Sequence, residues 1–165
     1  MPTPFTERSS LPAPPEAALA LLVDPDFLAE RARISKAVEH EEDVRDEDGT
    51  TVVRSTRTVS TSVLPRVAAG FMGGTAVVEQ VERWAPAAAD GTREGTLELT
   101  VRGAPVRLQA TSRLSPVEGG CEFELSGTLT VQVPFIGGGV EQAVLPGLLQ
   151  LVRSEVQLAR ERLAG

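Results

Sequence analysis

The stretch that most constrains this chain is its last one, Thr128 to Gly165, TLTVQVPFIGGGVEQAVLPGLLQLVRSEVQLARERLAG. It passes from an alternating strand, through Pro134 and three glycines, into the longest helical pattern in the sequence. Leu145, Leu149, Val152, Val156, Ala159 and Leu163 recur at spacings of four and three, and Val144, Leu148, Leu151 and Leu158 form a neighbouring row. Together the rows predict a helix from Val140 to Leu163 with a broad apolar face. Gln150, Arg153, Ser154, Gln157, Arg160 and Glu161 fall largely outside that face. An amphipathic helix of this kind draws its stability from tertiary packing, so it must lie on an apolar surface. Pro146 and Gly147 predict a kink, or a change of turn just before them.

The strands ahead of the helix supply the surface. Leu97, Leu99 and Val101 alternate with Glu98, Thr100 and Arg102; Val106, Leu108, Ala110 and Leu114 alternate with Arg107, Gln109, Thr111 and Arg113. Cys121, Phe123, Leu125, Leu129, Val131 and Val133 share one face of a third strand, in which Gly127 marks a bend or bulge. Short connections between such strands imply an antiparallel meander with one apolar and one wet face.

Upstream, Thr3 to Leu11 reads as a first strand, ended by Pro12, Pro14 and Pro15. Proline in a first turn and Glu16 behind it open a short helix that runs to about Val23. Asp24-Pro25 starts a second, with Asp24 as N-cap and Phe27, Leu28 and Ala32 on its apolar side. Ile34 to Arg45 and Thr50 to Thr61 read as a hairpin around Asp46-Glu47-Asp48-Gly49, charged enough to sit at the exposed side of a sheet. Ser62 to Gly74 breaks the strand pattern and reads as a short helix or apolar loop. It would be either a plug for the core or a mobile flap with Gly70, Gly73 and Gly74 as joints. Thr75 to Trp84 is the fourth strand.

The expected order is therefore strand, two short helices, six strands and one long helix, in an α+β chain of 165 residues read as one domain, 1–165. A twisted antiparallel sheet with one greasy face curls around the element that covers it. The order, with LPAPPEAALALLVDPDF near the start and VPFIGGGVEQ at the last strand-to-helix junction, resembles the START-like superfamily (SRPBCC), whose members include polyketide cyclases, allergen-type carriers and lipid-transfer domains. Within it, PRVAAGFMGGTAVVEQVERW, the Gly103-Ala104-Pro105 turn and the Val-Pro-x-x-Gly-Gly step are most similar to a bacterial family of unknown function, domain family 2505. The resemblance implies a helix-grip fold, about seven strands wrapped on the C-terminal helix, with a cavity between sheet and helix. It implies no catalytic residues.

Candidate cavity-lining residues are Phe71, Met72, Trp84, Leu97, Leu99, Val101, Leu108, Phe123, Leu125, Phe135, Leu145, Leu149 and Val152. Acid–base chemistry has few candidates: His40, the single histidine, among acidic neighbours; Arg57; and Glu79. Arg57 and Arg102 would meet an anionic headgroup if turned inward, although their default place is the wet face. One histidine and one cysteine exclude a His/Cys metal cluster, and the run Glu39, Glu41, Glu42, Asp43 lacks the spacing of a calcium loop. The glycines at 137–139 lack the Gly-Lys-Ser/Thr ending of a phosphate loop and read as a close approach of helix to sheet. No cofactor is expected.

The formal charge of −7 argues against a nucleic-acid partner and against an anionic membrane surface. No apolar run reaches the length of a membrane span, and the first residues lack the pattern of a secretory signal, so a cytoplasmic location is expected. The sole lysine, Lys36, with abundant alanine and proline, suggests a GC-rich genome. Three functions remain, in this order: a carrier or sensor for a hydrophobic or amphipathic small molecule, a filled-core scaffold acting through its surface, and a cyclase- or dehydratase-type enzyme.

Overall fold

The computed structural model describes residues 2–70 and 73–165, with Val63 described by its backbone alone. The order of elements is the one expected. Strand β1 (Thr3–Leu11) is followed by helices α1 (Pro15–Leu22) and α2 (Pro25–Ile34), then by β2 (Glu39–Glu47) and β3 (Thr50–Ser60). A short 3-10 turn (Thr61–Val63) and the one-turn helix α3 (Arg66–Ala69) lead to β4 (Thr75–Trp84), β5 (Arg93–Val101), β6 (Val106–Val117) and β7 (Gly120–Val131). The last element is α4, Gly137–Ala164. The seven strands form one antiparallel sheet in the order β1-β7-β6-β5-β4-β3-β2. Strands β2 to β7 are a simple meander, and the first strand crosses over to pair with the last.

Several local features follow from the residues named above. Asp24 caps α2, its carboxylate accepting the backbone N–H of Phe27 at 3.1 Å, with Pro25 at the first helical position. The far end of α2 departs from expectation: Ile34 is its last residue, and β2 begins only at Glu39. Lys36 takes a left-handed backbone, φ 63°, while the N–H of Lys36 bonds to Arg33 O and that of Ala37 to Ala32 O. These two bonds define a Schellman stop. A lysine stands where glycine usually does, so the sequence carried no sign of the ending.

The hairpin of β2 and β3 also splits in character. Edge strand β2 is largely exposed, as its charge predicts, but β3 buries Val52, Val53, Ser55 and Arg57. Gly127 marks neither a skipped nor an added residue, for the register of β7 against β6 is continuous. Its role is close approach: a Cβ there would lie 2.0 Å from Gln109 O and 2.7 Å from the Ala110 methyl. Helix α4 is unbroken across Pro146 and begins three residues earlier than the periodicity predicts. Its 28 residues reach about 42 Å at the standard rise. Gly137 alone of the three glycines touches the sheet, with 2.2 Å between a built Cβ and Val131 O, while Gly138 and Gly139 meet nothing.

The helix packs principally on β7 and β1 and against α1, α2 and α3. Glu141 fastens this arrangement at the sheet's far end. Its fully buried carboxylate accepts the hydroxyl of Thr3 at 2.7 Å and the backbone N–H of Val131 at 2.8 Å, joining the first strand, the last strand and the helix. Outside, Arg153 grips Glu7 through two bonds of 2.7 and 3.2 Å, and Arg160 donates to Ser10 O. Glu141→Ala leaves a buried N–H without its acceptor, and urea denaturation is expected to show a loss of about 1–3 kcal/mol. Thr3→Val, which removes the more accessible of the two bonds, is expected to cost less.

Candidate functional site

Parity along each strand decides which side chains meet the helix. Paired residues in an antiparallel sheet project to the same side, so the face can be followed across the registers. Trp84 lies opposite Gly95, Leu97 opposite Glu82 and Ala110, and Leu99 opposite Gln80 and Leu108. Leu108 in turn faces Leu129, and Ala110 faces Gly127, which pairs with Phe5. On β1 and β5 to β7 this inner face is mostly aliphatic or aromatic. On β3 and β4 it is not: Ser55 and Arg57 sit opposite Gln80 and Val78, and Glu82 follows two residues on.

Between this face and α4 lies a cavity of about 820 Å³. Trp84, Leu97, Leu99, Val101, Leu108, Phe123 and Leu125 line it from the sheet, and Leu145, Leu149 and Val152 from the helix. Ten of the expected lining residues are thus brought together. Several lining residues, among them Leu97, Leu99, Leu145, Leu148, Leu149 and Val152, are only half-buried: each packs against the buried cluster of Phe5, Leu108, Ala110, Leu125 and Leu129 and also borders the cavity. Phe135 is a correction. It stands fully exposed just ahead of α4, with φ 70°, and takes no part in the lining. The chain turns between Val131 and Gly137 so that Val133 folds back against the core while Phe135 projects outward. Phe71 and Met72 lie outside the described residues. Of the segment they belong to, Leu64, Pro65 and Ala68 border the cavity, and Ala68 packs with Val131 and Val140 at the start of α4.

One part of the lining is charged. Arg31, inward on α2, donates to Glu82 Oε1 at 3.1 Å and places its Nε 3.5 Å from Glu155 Oε2. Arg57 donates to the other oxygen of Glu155 at 3.3 Å. Gln80 donates to Glu82 Oε1 as well. All five side chains border the cavity, and the four charged ones are between 8% and 17% exposed. Burial opposes the charge on Arg31, but the carboxylates of Glu155 and Glu82 outweigh it and raise the guanidinium above the ordinary arginine pKa. Two positive and two negative groups from α2, β3, β4 and α4 therefore form one neutral network against a mainly apolar chamber, whose lining also includes the exposed Lys36 and the polar Ser35, Ser112, Gln150 and Ser154.

Arg57 corrects an expectation too, since it turns inward and not to the wet face. Arg102 and Glu79 are outside, paired with each other at 3.1 Å. His40 shares Arg57's side of the sheet but sits on the edge strand, its Nδ1 2.7 Å from Glu42, and neither His40 nor Glu42 borders the cavity. Arg31, Gln80, Glu82 and Glu155 were not singled out by the sequence reading. A signal existed for three of them: Gln80 and Glu82 share parity with Trp84, and Glu155 stands three residues from Val152 and four from Leu151 and Ala159, within the apolar register of α4.

With this geometry described, comparison with known proteins places the chain. Residues 6–163 match DUF2505, a family described as "Protein of unknown function", and the chain belongs to that family. Two curated relatives, the uncharacterized proteins Rv0481c of Mycobacterium tuberculosis and Mb0491c of Mycobacterium bovis, are each 33% identical over 111 residues. That match covers 66% of this chain and 63% of each relative. Among solved structures, TTHA0849 from Thermus thermophilus superposes with a TM-score of 0.66 at 19% identity, covering 98% of this chain and 97% of that one. A START superfamily protein from Mycobacterium smegmatis gives 0.63 at 12% identity, covering 97% and 98%. The Zhui aromatase/cyclase from Streptomyces sp. R1128 gives 0.51 at 14% identity, covering 99% and 87%. The fold is START-like, a curved seven-stranded sheet around a long C-terminal helix.

The network carries a thermodynamic expectation of its own. Glu155→Leu leaves two guanidinium groups facing each other without their shared carboxylate, and is expected to destabilise by on the order of 3 kcal/mol. Arg57→Met combined with Glu155→Leu should cost less than the sum of the two single changes. Chemical denaturation of the three variants measures the coupling.

Proposed function

We propose that this protein is a non-enzymatic carrier or sensor that encloses a hydrophobic or amphipathic small molecule between its sheet and α4. The observation that carries the reading is the chamber itself. Its 820 Å³ fall within the range of roughly 300–1,000 Å³ typical of small-molecule sites, and its walls are mainly apolar, with the charged network as their chief polar feature. A filled-core scaffold would leave no such space between sheet and helix; here the inward leucines pack on the core and also border the cavity. The site residues are Trp84, Leu97, Leu99, Val101, Leu108, Phe123, Leu125, Leu145, Leu149 and Val152, with the network from Arg31 to Glu155 at one part of the wall.

An enzymatic reading of cyclase or dehydratase type receives less support. Of its three candidate groups, His40 and Glu79 lie outside the cavity lining and Arg57 is engaged by Glu155. The inward carboxylates Glu82 and Glu155 are each held by a guanidinium. Among the described residues no helix is long and apolar enough to cross a membrane.

Titration with the neutral fluorophore N-phenyl-1-naphthylamine is expected to show saturable binding with enhanced, blue-shifted emission. Leu99→Trp, which fills the chamber from the centre of the sheet, should weaken that binding at least about tenfold while circular dichroism stays unchanged. Native mass spectrometry of gently purified protein should in addition show a co-purifying small molecule. Absence of saturable binding in the wild type, or full retention in a folded Leu99→Trp variant, overturns the proposal.

A further inference from the structure

Resting on the cavity reading, we infer that the charged network selects the polar end of the ligand, and that this end is an uncharged oxygen group, a hydroxyl or a carbonyl. An inward arginine in an apolar chamber ordinarily points to an anionic ligand. Here that reading fails on charge balance. Arg31 and Arg57 are already matched by Glu82 and Glu155, with Glu155 bridging both arginines through its two oxygens, at 3.3 and 3.5 Å. A ligand carboxylate entering this set would be a third negative charge beside two, in a place that water reaches poorly. A ligand ammonium would be a third positive charge. Either must shed its hydration without a free counter-charge inside the network to replace it; Lys36, which also borders the cavity, is exposed and keeps its charge in water.

A neutral oxygen has no such penalty, and the network has capacity for it. Each guanidinium carries five N–H donors in a planar fork. Among the described residues Arg57 is bonded through Nη1 alone, to Glu155, which leaves it donors for an incoming oxygen. A carbonyl or hydroxyl oxygen can accept from the guanidinium groups, and a hydroxyl can in turn donate its proton to a carboxylate lone pair. The neighbouring lining, Leu97 opposite Glu82 and Leu99 opposite Gln80, provides an aliphatic track leading directly away from the polar group. The ligand class is thus a long apolar body with one alcohol or ketone function, seated with that function between α2, β4 and α4.

The test compares dodecanol, dodecanoate and dodecylamine at neutral pH as competitors of bound N-phenyl-1-naphthylamine. Dodecanol is expected to displace the probe at roughly tenfold lower concentration than either charged analogue. Glu155→Gln keeps the shape but gives the network a net positive charge, and should move the preference toward dodecanoate. Arg57→Gln gives it a net negative charge, and should move the preference toward dodecylamine. These reversals separate head-group selection from a merely structural role, which would weaken all three ligands alike. A flat order in the wild type, or tightest binding of dodecanoate there, overturns this inference while leaving the cavity reading intact. An unchanged order in folded Glu155→Gln protein overturns it as well. Failure of the probe itself to bind removes the cavity reading and this inference together. If the variants do not fold, the wild-type order decides.

Discussion

One helix cannot cover seven strands. Neighbouring strands lie about 4.8 Å apart, so the sheet is some 30 Å wide along its hydrogen-bonding direction, while a helix with its side chains is about 10 Å across. Curling the sheet reduces the mismatch without removing it. In this protein α4 settles toward β1 and β7, where Glu141, Arg153 and Arg160 fasten it, and α1 and α2 cover part of what remains. The inner faces of β3 to β7 are left bordering a space that the helix spans but does not fill. The cavity follows from the geometry of the layers, and the inward side chains determine its character.

That character changes across the sheet. From β5 to β7 the inner positions are mainly Leu, Val, Phe and Ala, and from β3 to β4 they include Arg57, Gln80 and Glu82. Helices α2 and α4 answer the polar half with Arg31 and Glu155, each carried on an otherwise apolar helix face. A network assembled from four separate elements has no local origin in the chain. It exists only when α2, the sheet and α4 are all in place, and it holds the edges of the chamber in register as well as colouring its wall.

Much of this was legible in the sequence, and the failures have physical causes. Clean alternation in β5 to β7 revealed both the strands and their inner faces, and the Asp24-Pro25 cap located α2. The order of elements and the terminal helix followed from periodicity. The charged residues of the lining escaped because a polar side chain at an inward position looks, in a single strand, like a residue of the wet face. In β3 the ambiguity is complete, since adjacent Val52 and Val53 are both buried and parity alone cannot assign Arg57. Only the register to Trp84 through β4 resolves it. Phe135 misled in the opposite direction: an aromatic residue at the junction suggested lining, but a positive φ after Pro134 turns it out to solvent.

The position of β1 bears on how the protein is made. Its nine residues leave the ribosome before the other six strands, yet their hydrogen-bonding partner is β7, more than a hundred residues later. Until β7 emerges, β1 must wait as an unpaired ribbon while the meander from β2 onward zips locally, and the bond from Thr3 to Glu141 waits longer still. The sheet is thus closed late, by its oldest strand, and the chamber acquires its walls only after the final helix has followed.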